Sequence, residues 1–442
     1  MPKKIIMLVY NYFENDSRVL KEALSLADSG YVIHIFAIWK NGLEKESIVS
    51  ENVFLTRVDF TPFHKKIIGE KLFLRLKNIV YKSDKKVIKN TSAGNRHITK
   101  GIIAKPQKKT KLSFLKFFLS VINKTFSYKG FYSDVKSTIK NKKLEANYIH
   151  SHDLNTLPLG FALAKKYKAK LIYDSHELYA HRNRPYITPK WFQSLQKHIE
   201  RKNIKRCDAV ITVSQSIVEH LELTYKIPKP HLIMNAPFKQ KKEAISDDND
   251  LKLLLKVPLD KKLLIYSGGI TFNRGLDKVI ESLNLIPDAF LVFMGNGSVS
   301  YTNFLLSVAT KNNVEDRFRF FGPVHSNKVT SYVQSAYLGI APIENVCLSY
   351  YYCAPNKIFE YIQGGLPVVA SKFPDMEMVI TENKIGDTFD PNSPEDIAKS
   401  INNILNDNNL YNEYQNNVKS IVDKYKWENE EEKLIALYQE LN

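Results

Sequence analysis

Short runs rich in Ile, Val, Leu and Phe alternate along this chain with longer stretches of helical apolar periodicity, in two successive blocks. That alternation narrows the possible folds more than any other feature, because unbroken apolar runs followed by helices mark parallel strands covered on both faces. The first block reads as strand Ile5–Tyr10, helix Val19–Ala27 and strand Tyr31–Ala37. It resumes with strand Ala146–His150, helix Leu157–Lys168, strand Lys170–Tyr173, helix Lys190–Lys205, strand Ala209–Val213, helix Ser216–Leu223 and the short strand His231–Met234. Residues 236–261 carry little periodic signal and read as a linker. The second block predicts strands Leu263–Ser267, Ala289–Met294, Phe318–Phe321, Leu338–Pro342 and Pro367–Ser371. Helices Leu276–Leu285, Tyr301–Thr310, Lys328–Gln334 and Lys357–Gln363 alternate with them, and helical segments follow from Pro394. The expected class is α/β, as two tandem Rossmann-like domains.

A length of 442 residues suits two or three domains. Three cysteines, Cys207, Cys347 and Cys353, form no CxxC pair, which argues against a disulfide framework or a structural zinc site and for a reducing, cytoplasmic setting. The amino terminus has too short an apolar run for a signal peptide, and no stretch reaches the roughly 18 residues of a spanning helix. The net charge of +18 is local: residues 61–145 hold 22 Lys and Arg against four acids, and the rest of the chain balances. Within this insert, Lys65–Lys89 and Lys111–Lys124 interleave bases with Ile, Leu and Phe. That pattern suits either helices at an anionic membrane surface or a solvated helical pair. Arg is scarce there and no nucleic-acid module is visible, so nucleic acid is not an expected partner.

Gly is rare, at 17 residues, yet ten fall between Gly268 and Gly386 at strand ends and helix starts. In Tyr266-Ser-Gly-Gly-Ile-Thr-Phe-Asn-Arg-Gly, the residues Gly268 and Gly269 can turn backbone N–H groups toward a phosphate, with Arg274 as a planar cation, or can simply form a turn. Phe293-Met-Gly-Asn-Gly, with Gly295 and Asn296, has the same form and the same two readings. Pro323 and Val324 follow another strand end, where backbone groups could read a base edge. In Ala354-Pro-Asn-Lys-Ile-Phe-Glu, Asn356 is placed to cap a helix, and Lys357 and Glu360 share a face at i and i+3. Lys357 could then meet phosphate oxygens while Glu360 accepts from ribose hydroxyls; a surface ion pair is the alternative. Two histidine–acid clusters, Ile149-His-Ser-His-Asp and Tyr173-Asp-Ser-His-Glu, end neighbouring strands. His150, His152, Asp153, His176 and Glu177 are residue types that bind divalent metals, but their spacing is not diagnostic and nothing resembles HExxH. Acid–base or substrate-orienting duty is the reading for His152, Asp153 and His176, with no metal.

These motifs, together with Asn15-Asp-Ser-Arg-Val-Leu-Lys-Glu-Ala and Cys207-Asp-Ala-Val-Ile-Thr-Val-Ser, resemble retaining family 4 glycosyltransferases of the GT-B fold that act in bacterial surface polysaccharide synthesis. The resemblance implies two domains facing a central cleft. The acceptor-side domain would be 1–238 with the basic insert at about 61–145, the nucleotide-sugar domain 239–424, and 425–442 a helix crossing back to the first. It implies sugar transfer from a UDP- or GDP-type donor to a hydroxyl of a glycan or lipid-linked acceptor, without a cofactor. Glu360 matches the second Glu of the family's Glu-x7-Glu signature and so the ribose-binding carboxylate. Arg274 matches the basic residue before the glycine turn, and His152 the histidine near the anomeric centre. Two positions depart: Tyr352 stands where the first Glu is expected, and Gly269 where an Arg is usual, so that Lys357 would supply the second phosphate cation. A sugar nucleotide epimerase and a catalytically silent subunit are the competing readings.

Overall fold

The computed structural model describes residues 2–14, 16–59, 111–184, 189–239 and 246–442. Most of the basic insert, residues 60–110 with the expected helix Lys65–Lys89, lies outside them. The chain divides into two compact units: Met1–Glu14, Gly30–Ile172 and Arg184–Cys207 form one, and Asn15–Ser29, Tyr173–Asn183 and Asp208–Asn442 the other. These boundaries differ from 238 and 424. The helix Ser17–Asp28 goes with the C-terminal residues because the last helix, Trp427–Glu440, packs on it: Trp427 Nε1 donates to Ser25 Oγ at 2.9 Å and Ser25 Oγ donates to Glu431 at 2.6 Å.

The N-terminal strands are β1 (Lys4–Leu8), β2 (Val32–Ile38), β3 (Glu46–Ser50), β4 (Val53–Val58), β5 (Tyr148–His152), β6 (Lys170–Ser175), β7 (Ala209–Thr212) and β8 (His231–Leu232). They form one sheet in the order β3-β4-β2-β1-β5-β6-β7-β8, in which the hairpin strand β3 runs antiparallel to β4. The hairpin was not among the expected elements. In the first unit the helix Lys111–Asn141 runs far beyond the expected Lys124. Its second half is a core element, since Phe131, Val135 and Ile139, spaced four apart, are wholly buried and Tyr132 donates to the Asn155 carbonyl at 2.6 Å. Among the described residues no helix is long and apolar enough to cross a membrane.

The second unit holds a six-stranded sheet of β9 (Lys262–Ser267), β10 (Ala289–Met294), β11 (Phe318–Phe321), β12 (Leu338–Ala341), β13 (Val368–Ser371) and β14 (Gly386–Phe389), in the order β11-β10-β9-β12-β13-β14. Every pair is parallel. Alternate residues of each strand enter opposite cores: Leu264, Tyr266, Leu291 and Phe293 pack on one face, and Leu263, Ile265, Val292 and Met294 on the other. Where both faces are covered, as in β9, β10, β12 and β13, the strands read as continuous apolar runs, which is why they were legible in the sequence. The helix Pro374–Glu382 and β14 were not expected.

Tyr361 ties three elements of this unit together. Its hydroxyl accepts from the Ser267 backbone N–H at 2.8 Å and reaches the Ile340 carbonyl at 3.1 Å. Gly339 makes room for the ring, for a Cβ there would lie 2.4 Å from it. Gly339→Ala therefore forces overpacking and should destabilise the protein by about 1–3 kcal/mol. Denaturant titration of wild type and variant measures the difference, and Tyr361→Phe combined with it should recover none of the loss.

Candidate active site

The carboxyl ends of β9 and β10 carry two glycine loops that lie against each other. Gly268 N–H donates to Met294 O at 2.9 Å, Ile270 N–H to Asn296 O at 2.8 Å, and Gly295 N–H to Phe321 O at 3.1 Å. The parallel pairing thus continues past the strands. A Cβ on Gly295 would come within 1.9 Å of the Gly268 carbonyl, and its φ of +154° also favours glycine. Gly269, Asn296 and Pro323 are exposed on this rim, with Val324 half-buried.

Lys357 projects from the first turn of the helix Asn356–Gln363 toward the first of these loops. Its Nζ would stand 3.6 Å from a Cβ on Gly268 and lies 4.3 Å from the centre of the Tyr266 ring. The side chain is only 8% exposed. Burial, with the Arg274 guanidinium nearby, pushes its pKa down to about 7, against the pull of Glu360. Glu360 accepts from Ser267 Oγ at 3.2 Å, and burial raises its pKa while Lys357 and that hydrogen bond oppose the rise. Arg274 rests over the Tyr350 ring at 4.7 Å. Pro355, not Asn356, is the residue before the helix, and Asn356 is its exposed first residue. Proline fixes the extended backbone needed there, so the expected side-chain cap is absent. One helix turn therefore brings a buried cation, a half-buried carboxylate and a glycine loop together at a strand end, where an ammonium, a guanidinium and the first N–H groups of the helix can receive a phosphate, while the Gly268 N–H expected to do so is spent on Met294.

A second polar cluster in the same unit joins the expected His176 to Arg18, Lys21, Glu22 and Asp174, which sequence reasoning did not single out. Arg18, 3% exposed, reaches both oxygens of Asp174, with Nε to Oδ2 at 2.8 Å and Nη2 to Oδ1 at 3.0 Å. It also lies 3.0 Å from Glu22, whose pKa burial and Asp174 push up to about 8. His176 Nε2 meets Asp174 Oδ2 at 2.9 Å. Lys21 donates to the Ala236 carbonyl and sits 4.6 Å from the Trp427 ring. Burial and Arg18 push it down to about 7, against Glu22, Glu360 and Glu430. A signal existed: Arg18, Lys21 and Glu22 fall at i, i+3 and i+4 beside Val19, Ala23 and Leu26, which puts charge on a core-facing stripe.

The second unit thus assembles Gly268, Gly295, Arg274, Lys357 and Glu360, and separately holds His176. His152 and Asp153 belong to the first unit. His152 ends β5, buried, its ring stacked 4.3 Å from that of His150, and Asp153 follows it with φ +62°. Glu177, at the end of β6, pairs with Arg182 at 3.2 Å.

Residues 251–421 match the family model for glycosyl transferases group 1, and residues 117–236 that for Glycosyltransferase Family 4. A sulfoquinovosyl transferase of Arabidopsis thaliana is 23% identical over 176 residues, which are 38% of this chain and 31% of that protein, so the match spans about a third of the relative's length. Sucrose-phosphate synthase from Thermosynechococcus elongatus superposes with a TM-score of 0.72 at 16% identity, over 99% of each chain. HepE of Anabaena, in complex with UDP-glucose, gives 0.68 at 13%, again over 99% of each. At these identities the likeness shows a shared GT-B fold.

Lys357 in its buried place is half-charged near pH 7, whereas unfolded it stays charged to about 10.5. Between those values the unfolded chain binds the extra proton, so stability gains from rising pH. Relative to Lys357→Met, the wild type should gain up to about 1.4 kcal/mol per pH unit over that window. Denaturation of both proteins at pH 7 and pH 9 checks this, and parallel pH profiles would contradict it.

Proposed function

We propose that this chain, which belongs to the glycosyltransferases of the GT-B type, moves a sugar from a nucleoside diphosphate donor to a hydroxyl of an acceptor, with retention. The observation that carries the reading is the convergence of Lys357, Arg274 and the Gly268 loop beside Glu360. A diphosphate is the leaving group of such a transfer, and fixed cations with a helix N-terminus can stabilise the charge that develops on it without a metal. Lys357, half-charged when free, becomes fully charged beside a diphosphate, because the anion raises its pKa. Glu360 takes the ribose hydroxyls. The neighbouring Gly269, Gly295, Asn296, Pro323, Val324 and Asn356 line the donor's path, while His152, Asp153 and His176 serve the sugar. The likeness to a protein solved with UDP-glucose supports a UDP-type donor, and GDP is the second choice. The acceptor is a glycan or a lipid-linked sugar of a surface polysaccharide.

Titration calorimetry with UDP and GDP tests the nucleotide assignment. Glu360→Ala should weaken binding by about 1–3 kcal/mol through loss of a charged hydrogen bond. His152→Ala should cut turnover while leaving nucleotide affinity near wild type. Unchanged affinity in Glu360→Ala removes that residue from the site. A catalytically silent subunit is the second reading, favoured by Tyr352, whose carbonyl accepts from Ser214 Oγ at 2.6 Å where the family signature has a carboxylate. Slow donor hydrolysis in the absence of acceptor separates the two.

The basic residues of 61–145 would dock the enzyme on an anionic cytoplasmic leaflet, beside a lipid-linked acceptor. Each lysine near such a surface contributes about 1 kcal/mol and is screened by salt. Cosedimentation with neutral and anionic liposomes should show binding that needs anionic lipid, weakens in high salt and falls when Lys108, Lys109, Lys111 and Lys116 become Gln. Binding indifferent to all three leaves the segment a solvated decoration.

A further inference from the structure

The guanidinium of Arg18 is used up within the protein. Nε and Nη2 hold the two oxygens of Asp174, Nη1 donates to the Ile233 carbonyl at 2.9 Å, and Glu22 stands 3.0 Å from Nε. With 3% of the residue exposed, this fork has little to offer a ligand, and its geometry fixes one thing, the plane of the Asp174 carboxylate. That carboxylate is itself wholly buried, on β6. Its Oδ2 then meets His176 Nε2 at 2.9 Å. A carboxylate oxygen only accepts, so Nε2 carries the hydrogen. The ring keeps 22% of its side-chain surface exposed, so it is the one member of the Arg18–Asp174–His176 series that a substrate can reach.

We propose that Arg18 and Asp174 are positioning residues for His176: together they hold its hydrogen on Nε2 and fix the ring's orientation, so that its exposed edge is set against the sugar substrate. The inference rests on the reading of this chain as a glycosyltransferase with His176 at the reacting sugar. It explains why a helix would carry an arginine on its core-facing stripe. A buried ion pair is weak as a source of stability but strong as a source of geometry. The chain brings the arginine from the Asn15–Ala23 motif and the aspartate from Tyr173-Asp-Ser-His-Glu, so two sequence motifs with no evident link become one device.

The test is a double-mutant cycle on transfer, with UDP affinity measured in parallel by calorimetry. His176→Ala and Asp174→Asn should each lower kcat on the order of a hundredfold while leaving UDP affinity unchanged. In the His176→Ala background, Asp174→Asn should cost almost nothing further, because its effect runs through the ring. Arg18→Lys keeps the charge and loses the fork, and its smaller loss should vanish in the same background. Nitrogen-15 spectra of histidine-labelled protein should place the wild-type His176 hydrogen on Nε2 and move it in Asp174→Asn. Losses that multiply in the double variants, or a wild-type hydrogen on Nδ1, overturn the proposal. Absence of UDP binding by the wild type instead overturns the donor reading, and the nitrogen-15 result still judges the Arg18–Asp174–His176 geometry.

Discussion

Taking an ammonium group out of water costs several kcal/mol, and the second unit accepts that cost at Lys357 without a close carboxylate partner at ion-pair distance among the described contacts. The ring of Tyr266 and the field of Glu360 offset part of it, while Arg274 adds to it. On the proposed function, the diphosphate of the donor completes this site. The glycine loops shape the space around it: Gly268 leaves the space beside the ammonium open, and Gly295 lets the neighbouring loop close up against Gly268. Tyr361 holds the same strand end from behind, through Ser267, whose hydroxyl in turn donates to Glu360. Cation, carboxylate and loop are therefore set by one strand and one helix, with little freedom to drift apart.

The second polar cluster works by a different rule. Around Lys357 the proposed function leaves polar capacity for the donor, whereas around Arg18 it is consumed inside the protein. Arg18 and Asp174 satisfy each other, Glu22 is held near neutrality by its surroundings, and His176 alone keeps an exposed edge. On the two proposals above, the first group binds and the others hold another in position.

Much of the architecture could be read in advance, and the reason is physical. β9, β10, β12 and β13 are buried on both faces, so each is a run of apolar residues that composition alone exposes. The hairpin β3–β4 is half solvated, with Glu46 and Ile48 exposed and a bulge between Ile48 and Ser50, and its pattern is too weak to stand out. Lys357, Glu360 and Arg274 were legible because they sit within a few residues of glycine and proline, where backbone constraint shows in the sequence. Arg18 and Asp174 lie 156 positions apart. Nothing local announces such a pair, and only folding brings them within hydrogen-bonding distance. The Asn356 cap failed for a local reason, since Pro355 already sets the helix entry.

The proposed function requires a nucleoside diphosphate at the carboxyl end of β9, on Lys357 and Arg274. Diffraction from crystals grown with a UDP-sugar measures this directly. The account predicts diphosphate density against the Gly268 loop within hydrogen-bonding distance of Lys357 Nζ and the Arg274 guanidinium, with the ribose on Glu360. Ordered nucleotide elsewhere on the chain, with water beside Lys357, would contradict it.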